Sequence, residues 1–308
     1  MTIDDLNGII ASGGFDEFVR VCEARQNKAL ARISDDVAAR RGVRLLLLAG
    51  ASSAGKTTTA KRLCTQLRVN GLEAWHMSTD DYFVGDARNP RDANGDFDYE
   101  TVDAVDSARL ARDLNALMEG QSVHLRHFSF RAHEGYDART PTVLPRGCCI
   151  VLEGIHALNP RLTAGVDDAC KFRLFIEPKE QPEIFFRTHL PSSDARLIRR
   201  LVRDNRFRRL DPLETFRMWP KVLAGEVKWI NPYRGNADEE FDSSLAYELP
   251  VLKPYVAGLL EQVRLREPQN AKAEMLSDLF AMVRDMPPVA VPGDSILRET
   301  IGSSQLDY

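Results

Sequence analysis

Apolar residues recur along this 308-residue chain with two different periods. Continuous runs at 45–49 (LLLLA), 148–154 (CCIVLEG) and 171–178 (KFRLFIEP) predict buried strands, and EAWHMST, after the Asn70-Gly71 stop, predicts another. VHLRHFSF at 123–130 alternates, which predicts a strand with one face exposed or lining a cleft, and FDSSLAYE at 241–248 reads as a last strand. Elsewhere the spacing is helical. Phe15, Phe18, Val19, Cys22, Leu30, Ile33 and Val37 mark one long helix or two short ones ending at Gly42, with further helices at 57–69, 103–119, 194–210, 210–226, 249–265 and 271–285. Pro287-Pro288 begins an irregular tail. Strand, helix, strand in this order forms a right-handed parallel unit, so the expected fold class is α/β, three layers around a mostly parallel sheet.

One stretch organises the rest. RLLLLAGASSAGKTTT (44–59) holds Gly50, Ala51, Ser52, Ser53, Ala54, Gly55, Lys56 and Thr57, a full match to G-x-x-x-x-G-K-[ST] between a strand-like and a helix-like run. The glycines let successive N–H groups point inward at phosphate oxygens. Lys56 adds positive charge near the β/γ-phosphates, Thr57 offers a hydroxyl to Mg²⁺, and the helix start at Thr58 favours an anion. A plain Gly/Ser turn would need neither the lysine nor this spacing. The expectation is a nucleotide-binding P-loop.

Charge and cysteine content narrow the setting. Lys and Arg number 41 against 45 Asp and Glu, and a net charge of −4 argues against a general nucleic-acid binder. The longest apolar run, LLLLAGA, falls well short of the roughly 20 residues of a membrane span, and MTIDDLNGII lacks the basic start of a secretory signal. Five cysteines without a C-x-x-C suggest reduced thiols. The expectation is a cytoplasmic protein whose partners are small molecules, not nucleic acid or membrane; a homo-oligomer is compatible with it.

Phosphoryl transfer requires a phosphate cradle, a metal, a positioned nucleophile and positive charge over the γ-phosphate. Asp80-Asp81-Tyr82-Phe83 follows the second strand, and Glu153 closes CCIVLEG; both lie at carboxyl ends of strands, where open α/β sheets place ligands. Either carboxylate, with Thr57, could hold Mg²⁺, and the other, Asp80 by preference, could accept the proton of a hydroxyl. The polar loop 85–100 is long enough for binding. In DARLIRRLVRDNRFRRL, Arg196, Arg199, Arg200 and Arg203 share one helix face opposite Leu197, Ile198, Leu201 and Val202. Alone, that pattern reads as a solvated face pairing with Asp194 or Asp204; beside a P-loop it reads as a lid clamping phosphates.

Taken together, GASSAGKTT, DDYF, DFDYE, LEGI and RLIRRLVRD resemble the uridine kinase/phosphoribulokinase family of P-loop kinases, over about residues 43–260. The chain is most similar to uridine-kinase-like nucleoside kinases whose kinase part follows a threonyl-tRNA-synthetase-like region; VRDNRFRR, MWPKVLAGEVKWI and SILRETIGSS carry that likeness. The division expected from it is a helical extension at 1–42, resembling the last helix of that region in an excised domain or a short form, and a kinase domain at 43–308. That domain would carry a lid at about 179–212 and C-terminal helices at about 250–286.

The resemblance implies ATP, with GTP as an alternative donor, Mg²⁺, and a nucleoside acceptor of the uridine or cytidine type. It makes Asp80 the base on the sugar 5′-hydroxyl and Asp98 the carboxylate on the ribose hydroxyls, with Tyr82 and Phe97 beside them. Phe128, Phe130 and His133 fall around the base, Glu153 on the metal, Arg200, Arg203 and Arg208 over the phosphates and nucleoside, and Asn236 to Asp238 near adenine. Two departures weaken pyrimidine selection: Phe128 stands where a tyrosine is usual, and Leu210 where an arginine contacts nucleoside. Other readings differ in kind. A polyol or sugar phosphate could replace the nucleoside, since Asp98 asks only for a vicinal diol. A GTPase-type switch lacks N-K-x-D, and its D-x-x-G match at Asp92–Gly95 lies in a polar loop. A degenerate binding module would not need Lys56, Thr57, Asp80 and Glu153 intact.

Overall fold

The computed structural model describes every residue except 93, 130–131, 180–182, 186–187, 287–289 and 308; of 183–185 and 188 it describes the backbone. Its centre is β1 (Leu45–Ala49), buried along its whole length. A five-stranded parallel sheet forms around it with β2 (Ala74–Ser78), β5 (Cys149–Glu153), β6 (Lys171–Glu177) and β9 (Glu239–Asp242), in the order β2-β5-β1-β6-β9. Two short hairpins stand apart: β3 (Arg126–Ser129) with β4 (Glu134–Asp137), and β7 (Glu183–Phe185) with β8 (Thr188–His189).

Alternation along the strands builds two cores. Leu46, Leu48, Val151, Leu174 and Ile176 face one side, where they pack under α2 (Phe15–Ala39), α3 (Lys56–Val69), α5 (Ser192–Arg208), α6 (Pro212–Gly225), α8 (Glu248–Arg266) and α9 (Ala271–Met282). Leu45, Leu47, Ala49, Ile150, Leu152 and Phe175 face the other, under α4 (Ser107–Met118) and the segments around it. Burying both faces explains the unbroken apolar runs, and deleting one such side chain costs about 2–5 kcal/mol. The result is the three-layer α/β architecture expected of the pattern.

Some elements differ from expectation. The chain starts with α1 (Ile3–Ala11), capped by Thr2, whose hydroxyl accepts from Asp5 N at 3.0 Å while the Asp5 carboxylate accepts from Thr2 N. FDSSLAYE is not a strand beyond Asp242, because the Asp242 carboxylate accepts from Ser244 N at 2.9 Å and turns the chain toward α8. The arm at 131–147 contains β4. Pro287-Pro288 lies outside the described residues; past 290 the chain is irregular, yet Ser295, Ile296 and Leu297 are 0–2% exposed, before α10 (Arg298–Ile301). A π-helical turn (Glu226–Ile230) and α7 (Asn231–Arg234) link α6 to β9.

Candidate active site

β1 leads into the P-loop, and its neighbours explain the loop's glycines. A side chain at Gly50 would collide with the Ile176 carbonyl on β6, and Gly55 has φ +90°. α3 begins at Lys56 with no side-chain cap, so its first N–H groups are available to an anion. Lys56 Nζ folds back on Ala51 O at 3.2 Å, and Ser53 Oγ is buried with no hydrogen-bond partner among the described residues. A buried donor without a partner, a free helix start and an inward lysine fit a polyphosphate.

Register places the carboxylates. Glu153 is level with Leu48 on β1 and Ser78 on β2, at the carboxyl ends of all three strands. Its Oε1 accepts from Thr57 Oγ1 at 3.1 Å, and His76 Nε2 lies 3.8 Å away, a charge contact too long for a hydrogen bond. Burial opposes ionisation of Glu153, but His76 and Lys56 outweigh it and hold its carboxyl below the usual range. A hydroxyl and a carboxylate beside the loop are the hard oxygen donors Mg²⁺ takes when it keeps most of its waters. Among the described residues there is no group of three or more His, Cys, Asp or Glu that could hold a metal.

Asp80 sits in the short 3₁₀ turn after β2, its N–H donating to Ser78 Oγ at 3.2 Å. Burial and then the Glu153 charge raise its pKa to about 6, against the opposing pull of Lys56 and Arg208. Asp81 faces the β3–β4 hairpin instead. Its Oδ1 accepts from Phe128 N at 3.4 Å and lies 3.7 Å from His127, tying the β3–β4 arm to the end of β2. Glu100, not singled out from the sequence, faces the same space. Its pKa rises to about 7, chiefly from burial, and it feels Arg200, Asp98, Lys56 and Asp80. His156 is also new to the site; burial depresses it to about 4, so it is neutral at pH 7. Only the position of Glu100 directly after Phe97-Asp98-Tyr99 signals it in the sequence.

The first three turns of the arginine helix are not solvated, although its last turn is. Arg196, Arg199 and Arg200 are 2%, 2% and 7% exposed, because the helix lies across the P-loop. Arg200 Nη1 donates to Ser52 Oγ at 2.8 Å and Arg196 Nη1 to Ser52 O at 3.3 Å. Buried Asp204 gathers three guanidiniums: Arg203 at 2.8 Å, Arg200 at 3.2 Å and Arg208 at 3.6 Å. Arg199 turns the other way and pairs with buried Glu248 at 2.7 Å. Arg200, Arg203 and Arg208 thus stand as one cationic group held by one carboxylate.

On the other side the structure brings together Phe97, Phe128 and His133 through two aromatics missed in the sequence. Phe83 contacts Phe128 and Tyr99 at centroid distances of 5.5 and 6.0 Å, and Tyr99 lies 6.0 Å from Phe97 and 6.4 Å from His133. Tyr99 donates its hydroxyl to Asp86, and His133 Nδ1 is 3.4 Å from the same carboxylate. Asp98 accepts from Glu100 N at 3.0 Å. Two of the expected residues fall elsewhere. Tyr82 is 1% exposed, with its hydroxyl donating to Asp113 on α4 at 3.3 Å, so it is a core residue rather than a substrate contact. Asp238 directly precedes β9, level with Arg173 of β6, and its carboxylate is taken up by Arg40 at 2.9 Å and Arg173 N at 2.7 Å. Phe130 lies outside the described residues.

This geometry meets its relatives at the level of sequence. The model of the phosphoribulokinase / uridine kinase family matches residues 45–245. The chain belongs to that family. It is 28% identical over 192 residues to a uridine kinase of Deinococcus deserti, covering 62% of this chain and 83% of that one. It is 30% identical over 196 residues to a uridine kinase of Tolumonas auensis, covering 62% and 82%. A solved structure of a possible uridine kinase from Bacillus stearothermophilus aligns with 20% identity and a TM-score of 0.47, over 71% of this chain and 100% of that one. Family membership makes the chain a P-loop kinase. No helix among the described residues is long and apolar enough to cross a membrane.

Proposed function

We propose that this kinase transfers the γ-phosphate of ATP to the 5′-hydroxyl of a ribonucleoside, uridine or cytidine. The observation that carries the reading is the placement of Asp80, a carboxylate with its pKa raised to about 6, within the field of Lys56 and Glu153. A group of that basicity is a competent proton acceptor near neutral pH. The P-loop N–H groups and Lys56 hold the triphosphate, and Arg200, Arg203 and Arg208, held on α5 by Asp204, supply positive charge beside it. Mg²⁺, held by Thr57 and Glu153, would neutralise charge on the phosphates.

Asp80 orients the acceptor hydroxyl and takes its proton as the new P–O bond forms. Asp98 accepts hydrogen bonds from two adjacent sugar hydroxyls, and Phe97, Tyr99 and Phe128, backed by buried Phe83, offer a face to the base, with His133 at its edge. The names of the relatives support the acceptor class, and the five unpaired cysteines, four of them buried, support a reducing, cytoplasmic setting. The test is ATP-to-ADP turnover with Mg²⁺ against nucleosides, polyols and sugar phosphates, beside a Lys56→Ala control. Turnover with uridine or cytidine, giving a 5′-monophosphate, is expected. Turnover with a non-nucleoside diol alone would keep the chemistry and discard the substrate; hydrolysis without any acceptor would contradict both.

A further inference from the structure

The family match stops at residue 245, yet residues some fifty positions later touch the P-loop. Residues 291–302 run as a strap whose Ser295, Ile296, Leu297 and Thr300 are all buried. Ile296 lies directly over Gly55: a Cβ there would stand 2.6 Å from Ile296 Cγ2. Glu299 Oε2 accepts from Thr58 Oγ1 at 3.4 Å, and its Oε1 is 3.9 Å from Arg203 Nη1. Arg206 Nη2 donates to Ile301 O at 3.2 Å, which fixes the strap to the arginine helix as well.

A separate buried network sets its position. Ser295 Oγ is 3.0 Å from Tyr247 Oη, and that hydroxyl donates to Glu23 of α2 at 2.6 Å, while Arg62 of α3 lies 3.4 Å from Glu23. The strap therefore joins the P-loop helix, the arginine helix and the segment after β9. In-line transfer puts acceptor and leaving diphosphate on opposite sides of the γ-phosphate. Asp80 follows β2 at one edge of the sheet, so in this reading the nucleoside of the donor extends away from that edge. The space between strap and loop is about 10 Å³, room for about one water, so no base enters between them.

We infer that the strap is a donor-positioning element: Ile296 and Glu299 press the P-loop and Arg203 into the geometry that binds a nucleoside triphosphate. This rests on the reading of the P-loop as the donor site. It makes a glycine at 55 necessary for two reasons, its left-handed backbone and the strap above it.

Two measurements on the full chain decide it. In the unaltered protein, a non-hydrolysable ATP analogue with Mg²⁺ should slow amide hydrogen exchange at residues 291–302 as well as in the P-loop. Protection of the P-loop without any change in the strap would overturn the inference. In Ile296→Ala, calorimetry should show the analogue binding about tenfold more weakly, with acceptor KM within about twofold of the parent. Unchanged analogue affinity, or equal losses for analogue and acceptor, would overturn it. An unaltered protein that binds no analogue would instead overturn the donor-site reading on which the inference stands.

Discussion

On the phosphate side of the cleft each functional group is backed by a buried partner, whereas on the acceptor side the backing is half open to water. Arg203 and Asp204 are 13% and 1% exposed as side chains, and Thr57 leans on a Glu153 that is 5% exposed. By contrast, His133 and Asp86 are 51% and 39% exposed, and His127 and Asp81 are 44% and 38%. Breaking a buried pair costs about 3–5 kcal/mol because a charge is left stranded. An exposed pair contributes about 0–1 kcal/mol. The phosphate side is therefore fixed, as a chemical step common to every acceptor requires, and selectivity is left to a surface whose residues can change at little cost to the fold.

The sharpest break in this comparison comes from Lys56→Ala. It removes charge from the phosphate side and should lower kcat/KM by about a thousandfold or more, on the scale of losing a principal electrostatic group. Melting temperature should shift little, because Nζ has only the loop carbonyl as a hydrogen-bond partner among the described residues. Asp98→Ala acts on the other side. Acceptor KM should rise about tenfold to a hundredfold, as for two lost hydrogen bonds to a neutral ligand, with donor KM unchanged. If donor KM rose instead, the two sides would not be separable in this way.

A smaller effect comes from pH. Burial and Glu153 place the Asp80 pKa at about 6, and only the ionised form accepts a proton. As pH falls through that value the protonated form accumulates, so kcat/KM for the donor, which reports the free enzyme, should decline by about tenfold per pH unit below it. Above it the profile should be flat toward neutrality. A profile flat down to pH 5 would remove Asp80 from the role.

The two sides also differ in how far they can be read from the chain. The P-loop is contiguous, so strand, turn, lysine and helix appear together in sixteen residues, 44–59. Asp80 and Glu153 are legible because they end apolar strands. The arginine helix shows its two faces but not that Arg196, Arg199 and Arg200 are buried, since their burial depends on the P-loop some 150 residues earlier. Tyr82 shares a motif with Asp80, but the 3₁₀ turn sends its ring into the core. Asp238 lies in a segment similar to an adenine contact, yet its carboxylate is taken up by Arg40 and by Arg173 N, 198 and 65 residues away in the chain. Tyr99, Phe83 and Glu100 have no periodicity to betray them, because an irregular loop positions them. The strap contact spans 241 residues, and no local pattern encodes that distance.

The most direct test of the central claim is the single substitution Asp80→Asn, with kcat measured at saturating donor and acceptor beside the calorimetric affinity for an ATP analogue. If Asp80 is the base set against a phosphate held by the P-loop, kcat should fall by at least about a hundredfold while analogue affinity stays within about threefold. A kcat close to that of the parent would show that proton transfer is handled elsewhere and that the two sides of the cleft do not meet at Asp80.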